Sequence, residues 1–250
     1  LTFWHTGIDG DPENTISIAA STSDTEGFMV FWEHSGGTNY ALTENASLTS
    51  DSWAHLSTTW NGTTLKLYVN GVLIAEDDAP SGPGDTADRD YSISGSGFID
   101  ELSVWNIALS QSDIQTYVST SLTGSENGLV GYWNFNEGTG TTLTDLTSND
   151  NDGTITGASW IGNGAPVTET ITATNTHSLS FDGVDDYVDL ANKPITGTQN
   201  QFSILAYFKT NSLSINQGIY FHGGGYKDVG LRIDQEGSEY LLHFFILTSG

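Results

Sequence analysis

Asn70-Gly71 falls between two runs of alternating apolar residues, and this arrangement restricts the fold more than any other feature of the sequence. In Thr64-Leu-Lys-Leu-Tyr-Val69, the residues Leu65, Leu67 and Val69 share one face, because successive side chains of a strand point to opposite sides. Asn-Gly readily takes positive φ at both central positions of a type I′ turn, whose twist matches that of two antiparallel strands. The chain must therefore return as a second strand over Val72-Leu-Ile-Ala75. Trp53-Ala-His-Leu-Ser-Thr-Thr-Trp60 reads as a further strand, ending in an Asn61-Gly62 turn that feeds Thr63 onward. A lone hairpin is marginal in water, so these strands need a larger sheet around them.

Elsewhere, short runs rich in Val, Ile, Thr, Tyr, Phe and Trp alternate with clusters of Gly, Asn, Asp and Ser, the pattern of an antiparallel all-β protein. One segment departs from it. Ser110 can cap a short helix over 111–119, with Asp113 in the first turn and Ile114, Tyr117 and Val118 spaced to face a core. With 250 residues, 36% of them hydrophobic, the chain can build one large or two small cores. It has no cysteine, so stability must come from core size, metals or packing against neighbours.

Lys and Arg number 6 against 31 Asp and Glu, a formal net charge of -25 that repels nucleic acid and anionic membrane surfaces. The same charge keeps a protein soluble in a salty exterior and attracts hard cations such as calcium. No signal peptide, lipidation motif or apolar run of membrane-spanning length stands in the sequence, and direct membrane insertion is not expected.

The chain also resembles itself. A shift of about 203 residues sets Trp4 on Tyr207, Ile16-Ser-Ile-Ala19 on Ile219-Tyr-Phe-His222, Gly27-Phe-Met-Val30 on Gly230-Leu-Arg-Ile233, and Glu33 on Glu236. Residues 1 to about 48 are therefore expected to be the counterpart of roughly 203 to 250 in a following copy. The stretch from Gly162 to Thr176 opens on Gly and Pro, is rich in Thr and poor in apolar residues, and reads as a linker.

Five segments carry a family resemblance: Phe181-Asp-Gly-Val-Asp-Asp-Tyr-Val188, Trp53-Ala-His-Leu56, Leu67-Tyr-Val-Asn-Gly-Val72, Ile99-Asp-Glu-Leu-Ser-Val-Trp105 and Gly128-Leu-Val-Gly-Tyr-Trp-Asn-Phe-Asn-Glu-Gly138. Together they resemble the laminin G-like, or concanavalin A-like, jelly-roll domains of bacterial surface proteins of the Bacteroidota type. The resemblance implies an all-β, antiparallel β-sandwich with one short helix. In such domains the segment starting at His177 opens the fold and the one at Phe98 comes late, so the order here is displaced. The division expected is a jelly roll over 1–165 lacking its opening strands, a linker at 166–176, and the opening part of a second jelly roll over 177–250. The boundary can be set anywhere between about 125 and about 170, and the Thr-rich stretch favours the later position. An alternative is that the strands from Ser178 to about Phe202 fold back into the first copy, giving one closed, permuted sandwich, because an open sheet edge favours pairing with any suitable strand.

The resemblance implies calcium at the sandwich rim, held by Asp182, Asp185 and Asp186 near the opening strand and by Asp100 and Glu101 in the later one. Calcium takes six to eight oxygens, so loops must converge to bind it. Against this, Asp182-Gly183 is also a turn signal, and Asp100 can serve backbone amides. Asn149-Asp-Asn-Asp-Gly153 is a turn and not an EF-hand loop, because Ser159 stands where the bidentate Glu is required. Most of the seven Trp are expected in the core, Trp53, Trp60 and Trp105 among them, while Trp32 and Glu33 precede a polar turn that can present a ligand platform at a rim.

The same sandwich hosts glycoside hydrolases, which need two carboxylates about 5 Å apart on one face of a strand. Asp100 and Glu101 are adjacent in sequence and point to opposite faces of a regular strand. The six His form no metal-spaced pair or Ser-His-Asp set, and His55 reads as packed or hydrogen-bonded. Gly223-Gly-Gly225 has neither a following helix nor a P-loop Lys and reads as a loop. No catalytic residue is assigned and no enzyme is expected. The expected function is a repeated, non-catalytic adhesion or binding module of a long secreted protein at a cell surface, with a glycan, a cell-surface protein or neighbouring repeats as partners. The alternative is a carbohydrate-binding module attached to a polysaccharide-degrading enzyme.

Overall fold

The computed structural model describes residues 51–78, 91–166, 175–192, 194 and 200–209, and the strands at 217–223, 227–236 and 239–246. Among these residues there are thirteen strands and one helix. The expected hairpin is β2 (Thr64–Val69) and β3 (Val72–Asp78), paired with Val69 opposite Val72. Asn70 and Gly71 both carry positive φ, 49° and 74°, as the type I′ turn requires. Before it, β1 (Ala54–Trp60) ends in a turn where Asn61 Oδ1 accepts the backbone N–H groups of Thr63 and Thr64.

The hub of the fold is β4 (Tyr91–Trp105). Its later half pairs with β10 (Phe202–Lys209) on one side and β5 (Leu129–Trp133) on the other. Its earlier half pairs with β11 (Gln217–Gly223) and with β9 (Ser178–Leu190). Beyond β10 the order continues through β1 and β2 to β3, and beyond β11 through β12 (Lys227–Glu236) to β13 (Glu239–Ile246). The short strands β6 (Thr142–Leu143), β7 (Gly153–Thr156) and β8 (Ser159–Ile161) extend the layer around β9. Register shifts between Ser94 and Ser96 and between Val104 and Trp105, together with positive φ at Gly97 and Glu101, let β4 serve both layers. Gly97 is required there, since a Cβ would lie 2.6 Å from the Lys209 carbonyl oxygen.

The result is an antiparallel, concanavalin A-like β-sandwich. Leu56, Trp60, Leu65, Leu67, Ile204 and Phe208 from one layer meet Ile155, Leu179, Phe181, Val188 and Leu190 from the other in the main core. A second apolar cluster lies on the outer face of the first layer, where Tyr68, Trp105, Tyr132 and Leu205 pack with Leu109 and Ile114. Ile114 belongs to α1 (Gln111–Tyr117), the helix expected from the sequence but ending two residues earlier. Ser110 caps it and Asp113 closes the capping box. Tyr117 stacks on Trp105 at 5.3 Å, and Gln111 and Gln115 donate to the Gly71 carbonyl of the hairpin turn. Trp60 and Trp105 are core as expected, whereas Trp53 is half-buried.

β9 and β10 pair with β4 and β1, across the 166–176 linker expected to separate two bodies. Among the described residues this is the fold-back arrangement. An open edge between β1 and β4 would leave amides unpaired and apolar residues exposed, and β10 satisfies both neighbours along its whole length.

Candidate functional site: an exposed acidic turn and a buried polar row

Between Asp182 and Tyr187 the side chains of β9 leave the core, and Val184 (84%) and Tyr187 (41%) stand exposed. Gly183, with φ 80°, turns the chain, and Asp182 Oδ1 accepts the Val184 N–H at 2.8 Å, as the Asp-Gly signal predicts. Asp186 Oδ2 accepts the Asp182 N–H at 2.7 Å. These bonds draw Asp182, Asp185 and Asp186 together, and one carboxylate oxygen of each lies within 4.8 Å of the others. Gly157 faces the group, since a Cβ there would stand 2.1 Å from Asp186 Oδ1. The three carboxylates fit a hard, oxygen-seeking cation such as calcium, and two of their oxygens already hold backbone amides. Carbonyls or water would have to complete the six to eight ligands.

Asp100 and Glu101 do not join this group. Asp100 is fully buried; its Oδ2 accepts the Ala165 N–H at 2.6 Å and the Asn175 side-chain amide at 2.8 Å, and its Oδ1 accepts the Glu101 N–H at 2.9 Å. Burial, and then the neighbouring Glu101 charge, push the Asp100 carboxyl well above the usual range. Glu101 receives the Tyr132 hydroxyl at 2.6 Å and the Ser121 hydroxyl at 3.2 Å. Both acids are thus engaged in holding loops onto the outer face, a role that the metal assignment passed over. Trp32 and Glu33 lie outside the described residues.

A buried polar row emerges only in three dimensions. His55 of β1 is opposite Tyr207 of β10, and Tyr207 is opposite Asp100 of β4. His55 lies against Tyr207 and approaches Ser57 Oγ at 3.1 Å through Nδ1; burial pushes its pKa down to about 3. The Tyr207 hydroxyl donates to the Val118 carbonyl oxygen, and its pKa is raised by burial and then by the charges of Glu101 and Asp100. Trp53 meets Tyr207 edge-on, with Lys209 Nζ 5.2 Å from the Trp53 ring centre and 4.5 Å from that of Phe98. The usable sequence signal was a carboxylate and an imidazole inside apolar strand runs, at positions that face solvent only if nothing covers the outer face.

Asp145 is a third hub that sequence reasoning missed. It accepts the N–H groups of Tyr132, Thr147 and Asn151 and the Thr147 hydroxyl. Asn149 and Asn151 in turn donate to the Val130 carbonyl, so 149–153 is a turn fastened to β5. Beside it an open, polar groove of about 580 Å³ runs between Thr123–Glu126 and Leu146–Asn149.

The sequence model of the concanavalin A-like lectin/glucanases superfamily, a laminin G-like family, matches residues 3–115. That match and the antiparallel sandwich agree on the class: a jelly-roll domain of the laminin G-like, concanavalin A-like kind. No curated protein matches the chain.

Proposed function

We propose that this chain is a non-catalytic binding module, one of a series of jelly-roll units in a long secreted protein, serving adhesion at a cell surface with calcium at the Asp182, Asp185 and Asp186 turn. The observation that carries this reading is the division of labour among the acids. Asp100, Glu101 and Asp145 are buried and engaged by structural donors, while the Asp182 group is open to solvent beside the exposed Val184 and Tyr187. A hydrolase would need an accessible carboxylate pair, and Asp100 and Glu101 are sealed beneath the Ala165 segment and Tyr132. The test is binding of the purified chain to a glycan array and to intact cells, with calcium and with chelator. Calcium-dependent attachment to cells is expected. Hydrolysis of any bound glycan would overturn the non-catalytic reading.

The second reading, a carbohydrate-binding module attached to a polysaccharide-degrading enzyme, draws its support from the polar groove between Thr123–Glu126 and Leu146–Asn149. Saturable binding of one polysaccharide, lost on substitution of Asn149 or Glu126 and insensitive to chelator, would favour it over adhesion.

A further inference from the structure

The position between β1 and β4 is claimed by two segments of the same chain. In the structure it is filled by β10, which pairs with β1 from Ala54↔Phe208 to Trp60↔Phe202 and with β4 from Lys209↔Phe98 to Ser203↔Trp105. The strands β11, β12 and β13 follow it outward. The internal repeat aligns Leu1-Thr-Phe-Trp-His-Thr6 with Ile204-Leu-Ala-Tyr-Phe-Lys209, and carries β11, β12 and β13 onto 14–20, 24–33 and 36–43 without a gap. The inward parity of β10, with Ile204, Ala206 and Phe208 in the core, falls on Leu1, Phe3 and His5. Independently, the family match spans 3–115, which puts the segment directly ahead of β1 in the same domain as β1 to α1. One seat therefore has two occupants of matching pattern.

We propose that this seat is exchangeable: it accepts either residues 1–48 or residues 203–250, and a chain whose seat holds the first segment presents the second to complete the sheet of another copy of this chain. The partner is thus a second copy, joined by main-chain hydrogen bonds along β1 and β4. The chemistry is that of strand exchange, in which an identical element moves between molecules and no new contact has to be invented. A donor at one end and an acceptor seat near the other make a head-to-tail contact, which propagates unless it closes. This inference does not depend on what the module binds.

The chain has no cysteine, so engineered pairs report the occupant directly. Phe98 and Lys209 are register partners, and Thr6 is the repeat counterpart of Lys209. Two variants of the whole chain, Phe98→Cys with Lys209→Cys and Phe98→Cys with Thr6→Cys, would be oxidised, mapped by peptide mass and sized by light scattering. Both pairs are expected to cross-link. The first locks a monomer, and the second at least doubles the apparent mass because residues 203–250 are released to a neighbour. Cross-linking of the first pair alone would overturn the proposal, and so would a chain that stays monomeric with the Thr6 bond formed. Failure of both pairs would remove the pairing on which it stands. The unmodified chain gives a second reading: refolded from denaturant over a wide concentration range, it should pass from monomer to multiples of the monomer mass, and a monomer at every concentration counts against exchange.

Discussion

His55 and Tyr207 face each other across the β1–β10 pair with ring centres 5.0 Å apart and planes at 70°. The edge-to-face contact puts an imidazole where it cannot easily be charged, because His55 is 2% exposed and its hydrogen-bonding neighbour is the neutral Ser57. On the other side of Tyr207 stands Asp100, so an acid and a base share one buried row without neutralising each other through a direct hydrogen bond.

The imidazole makes the fold sensitive to acid. The folded pKa of His55 is pushed down to about 3 from 6.5, so below pH 6.5 the unfolded chain binds a proton that the folded chain refuses. Stability is therefore lost as pH falls from 6.5 towards 3, at up to about 1.4 kcal/mol per pH unit from this group alone. Urea unfolding midpoints measured between pH 7 and pH 4 should fall less steeply in His55→Gln than in the wild type. Equal slopes would mean that His55 is charged in the folded protein.

Asp100 pulls the other way. Its folded pKa is raised, chiefly by burial, so the folded chain holds a proton at pH values where the unfolded chain has released it. Its contribution grows as pH falls through the raised value and is complete below the unfolded value of about 3.9. Asp100→Ala orphans the Ala165 and Glu101 amides and the Asn175 side chain, at a cost of about 3 kcal/mol. The gap between wild type and variant should widen from pH 7 to pH 4. A gap that narrows on acidification would show that Asp100 is an ordinary ionised carboxylate.

Two glycines separate backbone conformation from steric crowding. Gly124 and Gly140 have nearly equal φ, 86° and 84°, but a Cβ on Gly124 would lie 2.2 Å from the Leu146 carbonyl oxygen, whereas one on Gly140 meets nothing within 4 Å. Gly140→Ala should cost about 1 kcal/mol, the price of a left-handed residue, while Gly124→Ala adds displacement of the loop that lines the polar groove. Thermal unfolding of the two variants should place Gly124→Ala lower by several degrees. Equal melting temperatures would mean that the 123–126 loop moves aside freely.

The parts of the fold legible in the sequence were those governed by local chemistry. Asn70-Gly71 demanded its hairpin, Ser110 and Asp113 their helix start, and the alternation in β1, β2 and β10 the inner face of a sandwich. What could not be read was long-range pairing. Nothing within Phe202–Lys209 says that its neighbours are β1 and β4, because main-chain hydrogen bonds carry no sequence label and two segments fit the same seat. The site divides in the same way. Asp182, Asp185 and Asp186 are close in sequence and were seen together, whereas Asp100 and Glu101 were misplaced with them because their donors, Ala165, Asn175, Ser121 and Tyr132, come from distant segments.

Asp185 offers the cleanest probe of the acidic turn. Asp182 and Asp186 each accept a backbone amide that shapes the turn, so replacing either alters the fold as well as the charge. Asp185 is exposed and close to two like charges, which repel it when no cation is present. Asp185→Asn should therefore leave the metal-free protein unchanged or slightly more stable, by about 0.5 kcal/mol, as is usual for relief of exposed charge repulsion. With calcium the order should reverse. A cation that binds only the folded form stabilises it by about 2.7 kcal/mol at a hundred times its dissociation constant, and the variant loses part of that gain. Melting curves of both proteins in chelator and in increasing calcium decide the matter, and parallel curves at every concentration would remove calcium from this turn.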